Sequence, residues 1–247
     1  RHHYTPVVGE NHLRDAIARR HQQKTGQKVC KANVGIFPGA QNALFSVCLC
    51  LLEHGDEVIV PELYYATYPA TVTAGGATLV ALESKTECGF QPDPEALSKA
   101  VTPQTKAILL NSPNNPTGAV YSKETLGAIL DLSRKHQIWV ISDEVYSDIA
   151  PEGFTPIASL PGSHGQTVTI SSLSKSHRMT GWRCGWMVGP ERLTQHLTHL
   201  NMCMTYGLPP FVQDAGVAAL EKDFETASQV KSRLDRNRQI LREELSP

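Results

Sequence analysis

The sequence predicts an α/β fold built on a mostly parallel, seven-stranded sheet with helices on both faces. Two observations carry this. Seven short strand-like runs recur, most of them continuous apolar blocks, as strands buried on both faces are. The stretches between them place apolar residues at helical spacing. Strand-like and helix-like segments alternate along the chain, which favours parallel strands joined by crossover helices.

The elements follow in order. "NVGIF" reads as a strand. In "GAQNALFSVCLCLLEHGDE", Leu44, Val47, Cys48, Leu51 and Leu52 fall at helical spacing, with Gly55 as the stop. "EVIVP" is a short buried-type strand, "TYPATVTAGG" a helix and "ATLVAL" a strand. "DPEALSKAV" is a short helix with acidic residues in its first turn, where they favour the helix dipole. "KAILLN" is a strand. "SKETLGAILDLSRKH" is a helix with Ser122 as N-cap and Leu126, Ile129 and Leu130 on one face. "IWVIS", "TVTISS" and "CGWMVG" are the last three strands. His196 and His199 sit three apart on a further helix and are not expected to hold a metal. From "ETASQVKSRLDRNRQILREEL" onward the pattern is one long, highly charged helix with sparse apolar positions at Val230, Leu234, Leu241 and Leu245. Helices of this kind often bridge to another element.

Bulk properties narrow the function. The 247 residues suffice for a sizeable core. A formal net charge of −1 gives no broad pull toward nucleic acid or anionic membrane. No apolar run is long enough to span a bilayer, and no signal peptide is visible. None of the six cysteines (Cys30, Cys48, Cys50, Cys88, Cys184 and Cys203) forms a Cys-x-x-Cys pair. Reduced, buried thiols in a cytoplasmic protein are expected.

Ligands of open parallel sheets gather beyond the carboxyl ends of the strands. After "NVGIF" comes "PGAQN", where small residues precede a helix and leave backbone N–H groups free for a phosphate. After "KAILLN" comes "SPNNPTG", a turn stiffened by two prolines that aims amides at one spot. After "IWVIS" comes "DEVYSD", with Asp143 at the strand end and Tyr146 three further on. Asp143 and Glu144 have no histidine at a ligand spacing, so no metal is expected. After "TVTISS" comes Lys175, and after the "MTGW" turn comes Arg183. Phosphate-binding backbone, amide, carboxylate, phenol, lysine and arginine in this order make a site for pyridoxal phosphate.

These residues carry a resemblance. "YTPVVGENHLRDAIA", "PGAQNAL", "GDEVIVPELYYATYP", "NSPNNPTG", "SDEVY" and "SLSKSHRMTGWRCGW" resemble the class I/II aminotransferases, fold-type I pyridoxal-phosphate enzymes. The motifs span nearly the whole chain in family order. The resemblance implies that Lys175 bonds the cofactor and that Asp143 pairs with its ring nitrogen. It implies that Asn115 and Tyr146 hydrogen-bond the ring's phenolic oxygen while Tyr65 stacks on its face. Gly39, Ala40 and Gln41 would cradle the phosphate, with Ser172, Ser174 and Arg183 completing the grip. Tyr4 matches a tyrosine that reaches the phosphate of the neighbouring subunit, which implies a homodimer with shared sites. Lys175, Asp143 and Tyr146 are the implied catalytic residues. The implied substrates are an L-amino acid and a 2-oxo acid.

His177 and Arg178 depart from the family, where many members carry an aromatic residue and a small one. The C-terminal segment with the family's substrate-carboxylate arginine, and the N-terminal stretch that closes over substrate, do not appear in these residues. Residues 1–222 are therefore expected to be the cofactor-binding large domain, and 223–247 the start of a bridging helix toward a small domain. Within the family, "SLSKSHRMTGWRCGW" and "NMCMTYGLPPFVQDA" are most similar to arginine–pyruvate transaminases, implying arginine as donor and pyruvate as acceptor. Two alternatives share the same site residues: a β-lyase eliminating across Cα–Cβ, and the effector-binding domain of a transcription regulator.

Overall fold

The computed structural model describes residues 2–222 and 224–245. All seven expected strands form and join one sheet: β1 (Val34–Pro38), β2 (Glu57–Pro61), β3 (Thr78–Leu82), β4 (Thr105–Asn111), β5 (Trp139–Asp143), β6 (Thr167–Ser172) and β7 (Cys184–Val188). Their order is β1-β7-β6-β5-β4-β2-β3. Only β7 runs against its neighbours, pairing antiparallel with both β1 and β6. The other pairs are parallel.

The unbroken apolar character of the strands follows from cover on both sides. Val58, Val60, Leu109 and Ile141 pack into one core with α2 (Ala40–Leu51), α3 (Tyr68–Thr73) and α6 (Glu191–Met204). The intervening Ile59, Ile108, Leu110 and Val140 pack on the opposite face with α4 (Pro94–Ala100) and α5 (Lys123–His136). On that second face, α1 (Asn11–Thr25) and α7 (Pro210–Lys222) cover Val34, Ile36, Trp186 and Val188. Alternate residues of β2, β4 and β5 thus enter different cores, so both faces of these strands are apolar.

Helix ends follow local chemistry where that chemistry is strong. Ser122 caps α5 as expected, its hydroxyl accepting from the Thr125 N–H. Asp93 caps α4 by accepting from the Glu95 N–H. Two boundaries differ from expectation. Helix α2 ends at Leu51, because Leu52 turns extended; Gly55, the expected stop, sits in the following turn at φ 92°. Helix α3 spans only Tyr68–Thr73 within the longer expected stretch.

The charged C-terminal helix is present as α8 (Phe224–Leu245), with Leu241 and Leu245 exposed. Position 223, where the expected domain boundary falls, lies outside the described residues. Helix α8 packs on the loop after β5. That loop is also tied to α1: the buried Asp148 carboxylate takes Lys24 and, at 3.0 Å, Arg20. Burial pushes Asp148 up, but the two cations outweigh it and hold the carboxyl below its ordinary value. The cysteines are all free, yet only Cys48 and Cys184 are buried; Cys30, Cys88 and Cys203 are exposed, against expectation. Those three lie in a loop, a short 3₁₀ turn and the outer side of α6, where no core needs them.

Candidate active site

A cleft of about 240 Å³ opens at the carboxyl ends of the central strands. Its walls include Ala40, Gln41, Tyr65, Asn115, Asp143, Tyr146, Ser172, Ser174, Lys175 and Arg183. Ten of the residues singled out from sequence thus meet in one place, although they span positions 40 to 183. The parallel sheet explains this. Strands β4, β5 and β6 end side by side, with Asn111 in register with Asp143 and Asp143 with Ile170. Residues just past each strand must then be neighbours.

The end of the cleft where a phosphate is expected is built by close backbone approach. Gly39 begins α2 at φ 89°, and a Cβ there would lie 2.2 Å from Arg183 Nη2. A Cβ on Gly185 would lie 2.3 Å from the Gly39 carbonyl carbon. Two glycines therefore let the β7 edge, the Arg183 guanidinium and the first turn of α2 converge. Arg183 itself adopts φ 54° and donates to the Thr180 and Pro38 carbonyls at 2.9 and 3.3 Å. Ser172 accepts from the Ser174 N–H at 3.3 Å. The Gln41 side chain is engaged elsewhere: it donates to Thr71 Oγ1 at 2.9 Å and accepts from Thr67 Oγ1 at 2.7 Å. What Gln41 offers an anion is its backbone N–H in the first turn of the helix.

The opposite end holds the titratable groups. Asp143 is buried, and burial pushes its carboxyl up to about 6. Donation from Tyr68 and from the Val145 N–H, and the nearby Lys175 charge, work against that rise. Asn115 Nδ2 lies 3.4 Å from the Tyr146 hydroxyl, so the two meet as expected. Burial first, then the Asp143 charge, raises the Tyr146 phenol. Lys175 Nζ lies 5.8 Å from the centre of the Tyr146 ring. Tyr65 stands at the mouth, its ring edge-on to Tyr68 at 6.0 Å.

Tyr4 is not in this cleft. It is 84% exposed and packs on Tyr206, with ring centres 4.9 Å apart. His177 is buried and Arg178 exposed, and neither lines the cleft.

Four lining residues, Thr67, Asn111, Val145 and Thr180, were not singled out from sequence, nor was Tyr68 behind them. Asn111 donates to the Asp143 carbonyl at 3.0 Å and accepts from the Asn115 N–H at 2.7 Å, locking two neighbouring loops. Its signal was available, since it ends β4 as Asp143 ends β5. Thr67 and Tyr68 carry no local signal; their partners, Gln41 in α2 and Asp143 at the end of β5, are distant in sequence.

The family profile described as aminotransferase class I and II matches residues 1–247. The chain belongs to the class I and II aminotransferases. It is 45% identical over 240 residues to arginine–pyruvate transaminase AruH of Pseudomonas aeruginosa, covering 97% of this chain and 61% of that protein. It is 37% identical over 219 residues to the aspartate/prephenate aminotransferase of Thermus thermophilus, covering 88% of this chain and 56% of that one. The structure of Thermus thermophilus aspartate aminotransferase with maleate superposes with a TM-score of 0.95 at 34% identity, over 99% of this chain and 64% of that one. The chain thus spans about three fifths of the length of the curated relatives it matches.

Class I and II aminotransferases depend on pyridoxal phosphate, and the residues here fit that group. The cleft offers an anion cradle kept open by Gly39 and Gly185, a carboxylate at its floor and a primary amine at its wall. Among the described residues, no cluster of three His, Cys, Asp or Glu side chains could hold a metal ion.

Proposed function

We propose that this protein is a pyridoxal-phosphate-dependent aminotransferase that moves an amino group from an L-amino acid to a 2-oxo acid. One observation carries the reading: Lys175, Asp143, Asn115, Tyr146 and Arg183 line a single cleft. Bound there, pyridoxal phosphate supplies an electron sink for the bond broken at the substrate's Cα. Lys175 bonds the cofactor and moves the proton at Cα. Asp143 keeps a negative charge beside the ring nitrogen. Asn115 and Tyr146 donate to the phenolic oxygen, and Tyr65 covers the ring face. The phosphate dianion is held by the backbone of Gly39, Ala40 and Gln41, by Ser172 and Ser174, and by the permanent charge of Arg183.

In this reading residues 1–222 form the cofactor-binding domain and 223–247 begin a bridging helix. The working unit is a homodimer in which Tyr4 of one chain reaches the phosphate of the other. The protein acts in the cytoplasm; free cysteines suit a reducing compartment, and no helix of the described residues is long and apolar enough to cross a membrane. The likeness to AruH supports arginine as donor and pyruvate as acceptor.

Full-length protein loaded with pyridoxal phosphate tests this directly. Borohydride should fix the cofactor to the peptide containing Lys175, and Lys175→Ala should abolish both fixation and turnover. A panel of L-amino acids against pyruvate and 2-oxoglutarate should give the highest kcat/KM for arginine with pyruvate. Fixation to another lysine would overturn the role of Lys175. Release of ammonia without amino transfer would replace the reaction class with elimination.

A further inference from the structure

We propose that Tyr68 is the positioning residue for Asp143, gripping one carboxylate oxygen and leaving the other turned to the cleft. The inference rests on the pyridoxal-phosphate reading. Tyr68 is 1% exposed, and its ring fills the core between α2 and the sheet. A buried phenol needs a partner for its hydroxyl. It finds one in Asp143 Oδ2 at 2.8 Å. The other oxygen, Oδ1, faces only the Val145 N–H at 3.3 Å. The main-chain carbonyl of Asp143 is held by Asn111. So the backbone and one oxygen of this carboxylate are fixed before any cofactor arrives.

Tyr68 remains a donor throughout. Burial first, then the Asp143 charge, holds its phenol well above the ordinary range, so it does not compete as an anion. Other groups face Asp143 as well. Lys175, after β6, favours its charge. Glu144, beside it in the chain, and Tyr146, in the same loop, are coupled to it by charge. Of these side chains, Tyr68 alone is shown hydrogen-bonded to the carboxylate.

The setting of Tyr68 extends the argument. Helix α3 is six residues long. Its cap residue Thr67 and its Thr71 hold the Gln41 amide at the start of α2. Tyr65, one turn earlier, stands at the cleft mouth. One short element therefore sets the ring-nitrogen end, the ring face and the phosphate end at fixed spacing. Tyr68 is its contact with the ring-nitrogen end.

The sign of the effect follows from the chemistry. Removing the donor leaves the Asp143 charge less supported, so the carboxyl protonates at higher pH. The reaction needs the ionised form, so the acid limb of kcat/KM should move to higher pH. The test uses full-length protein loaded with pyridoxal phosphate labelled with ¹⁵N in the ring. Tyr68→Phe should shift the acid limb up by about one pH unit, a tenfold change in the proton equilibrium. On the acid side of the limb kcat should fall about tenfold, and at neutral pH about twofold, while KM changes less than about threefold, and the ring ¹⁵N signal should move toward the unprotonated position. A ring-fluorinated tyrosine at position 68 donates more strongly and should move the limb the opposite way. It also decides the question should the Phe variant fail to fold.

An unmoved limb with an unmoved ¹⁵N signal would overturn the inference. So would a fall in kcat with no shift of the limb, since that marks a merely structural role. Wild-type protein that takes up no pyridoxal phosphate would overturn the functional reading and this inference together. Wild-type protein that loads and turns over, beside an unshifted variant, would overturn this inference alone.

Discussion

Two adjacent carboxylates, Asp143 and Glu144, are buried at the end of β5 and face different surroundings. Asp143 looks into the cleft toward Lys175 and Tyr68, where a cationic partner is expected. Glu144 accepts from the Ser142 hydroxyl at 3.0 Å and the Ile157 N–H at 3.3 Å, so it ties the loop after β5 back to the strand. Burial pushes Glu144 up to about 7 from an ordinary 4.5, the donors and Lys24 only partly offsetting it. A carboxyl raised on folding binds its proton more tightly in the native state. Its contribution to stability is therefore present at low pH and is lost as pH rises through about 7. Glu144→Gln keeps a carbonyl acceptor without the charge. Thermal melts between about pH 5 and pH 8 should show wild-type stability declining across this window and the Gln variant declining less. Parallel pH curves would remove Glu144 as the cause. Legibility differs among such residues for a physical reason. Asp143, Asn115 and Lys175 were readable because each follows a strand in its own segment. Tyr68 was not, since its partner Asp143 lies 75 residues away and is brought to it by tertiary packing, which no local pattern encodes.

Among elements, the strands were the most legible and the closely packed helices the least. A strand buried on both faces reads as a short apolar block, and six of the seven runs did; β6, with Thr167, Thr169 and Ser171 buried among its apolar residues, was read from its Val168 and Ile170. Helix α7, by contrast, had no expected counterpart. It begins at Pro210 and carries Ala215, Gly216, Ala218 and Ala219. A Cβ on Gly216 would lie 3.2 Å from Cys184 Sγ and 3.3 Å from Leu13. Helices that approach their neighbours through small residues show no strong apolar stripe. The same closeness at Gly185 supports a prediction about β7 and α2. Gly185→Ala puts a methyl group against the Gly39–Ala40 backbone, which cannot swing aside. Overpacking of this kind costs about 1–3 kcal/mol, so the melting temperature should drop by roughly 2–12 °C. Pyridoxal-phosphate affinity should fall with it, because the phosphate cradle moves. Gly127→Ala in α5, where an added Cβ meets nothing within 4 Å, is the control and should not destabilise. Equal effects of the two substitutions would show that the contact at Gly185 is tolerated.

At the scale of the molecule, the cleft collects residues from distant segments, but Tyr4 is not among them. Tyr4 lies on the surface with Tyr206, outside the cleft of its own chain. If it completes the phosphate grip of a second copy, Tyr4→Phe should weaken cofactor retention by about 0.5–3 kcal/mol, one hydrogen bond to a charged group. The absorption of the bound cofactor should be unchanged, because the ring contacts remain. Mixing Tyr4→Phe chains with Lys175→Ala chains should yield heterodimers holding one intact site, with Lys175 from the first chain and Tyr4 from the second, and one site that lacks both. Unaltered retention in Tyr4→Phe would separate this residue from the site.

Among the described residues, strand β1 stands at the edge of the sheet with β7 as its one neighbouring strand, Val34 opposite Val188. During synthesis the first strand leaves the ribosome long before the segment that will cover its edge. At about 5–20 residues per second, that wait is roughly 7–30 seconds. For all of it, "VGIFP" presents an unpaired apolar edge to the crowded interior of the cell. Translation speed through the stretch before Cys184 is therefore expected to govern how much of this protein reaches its native form, and slower decoding there would lengthen the chain's dependence on chaperones.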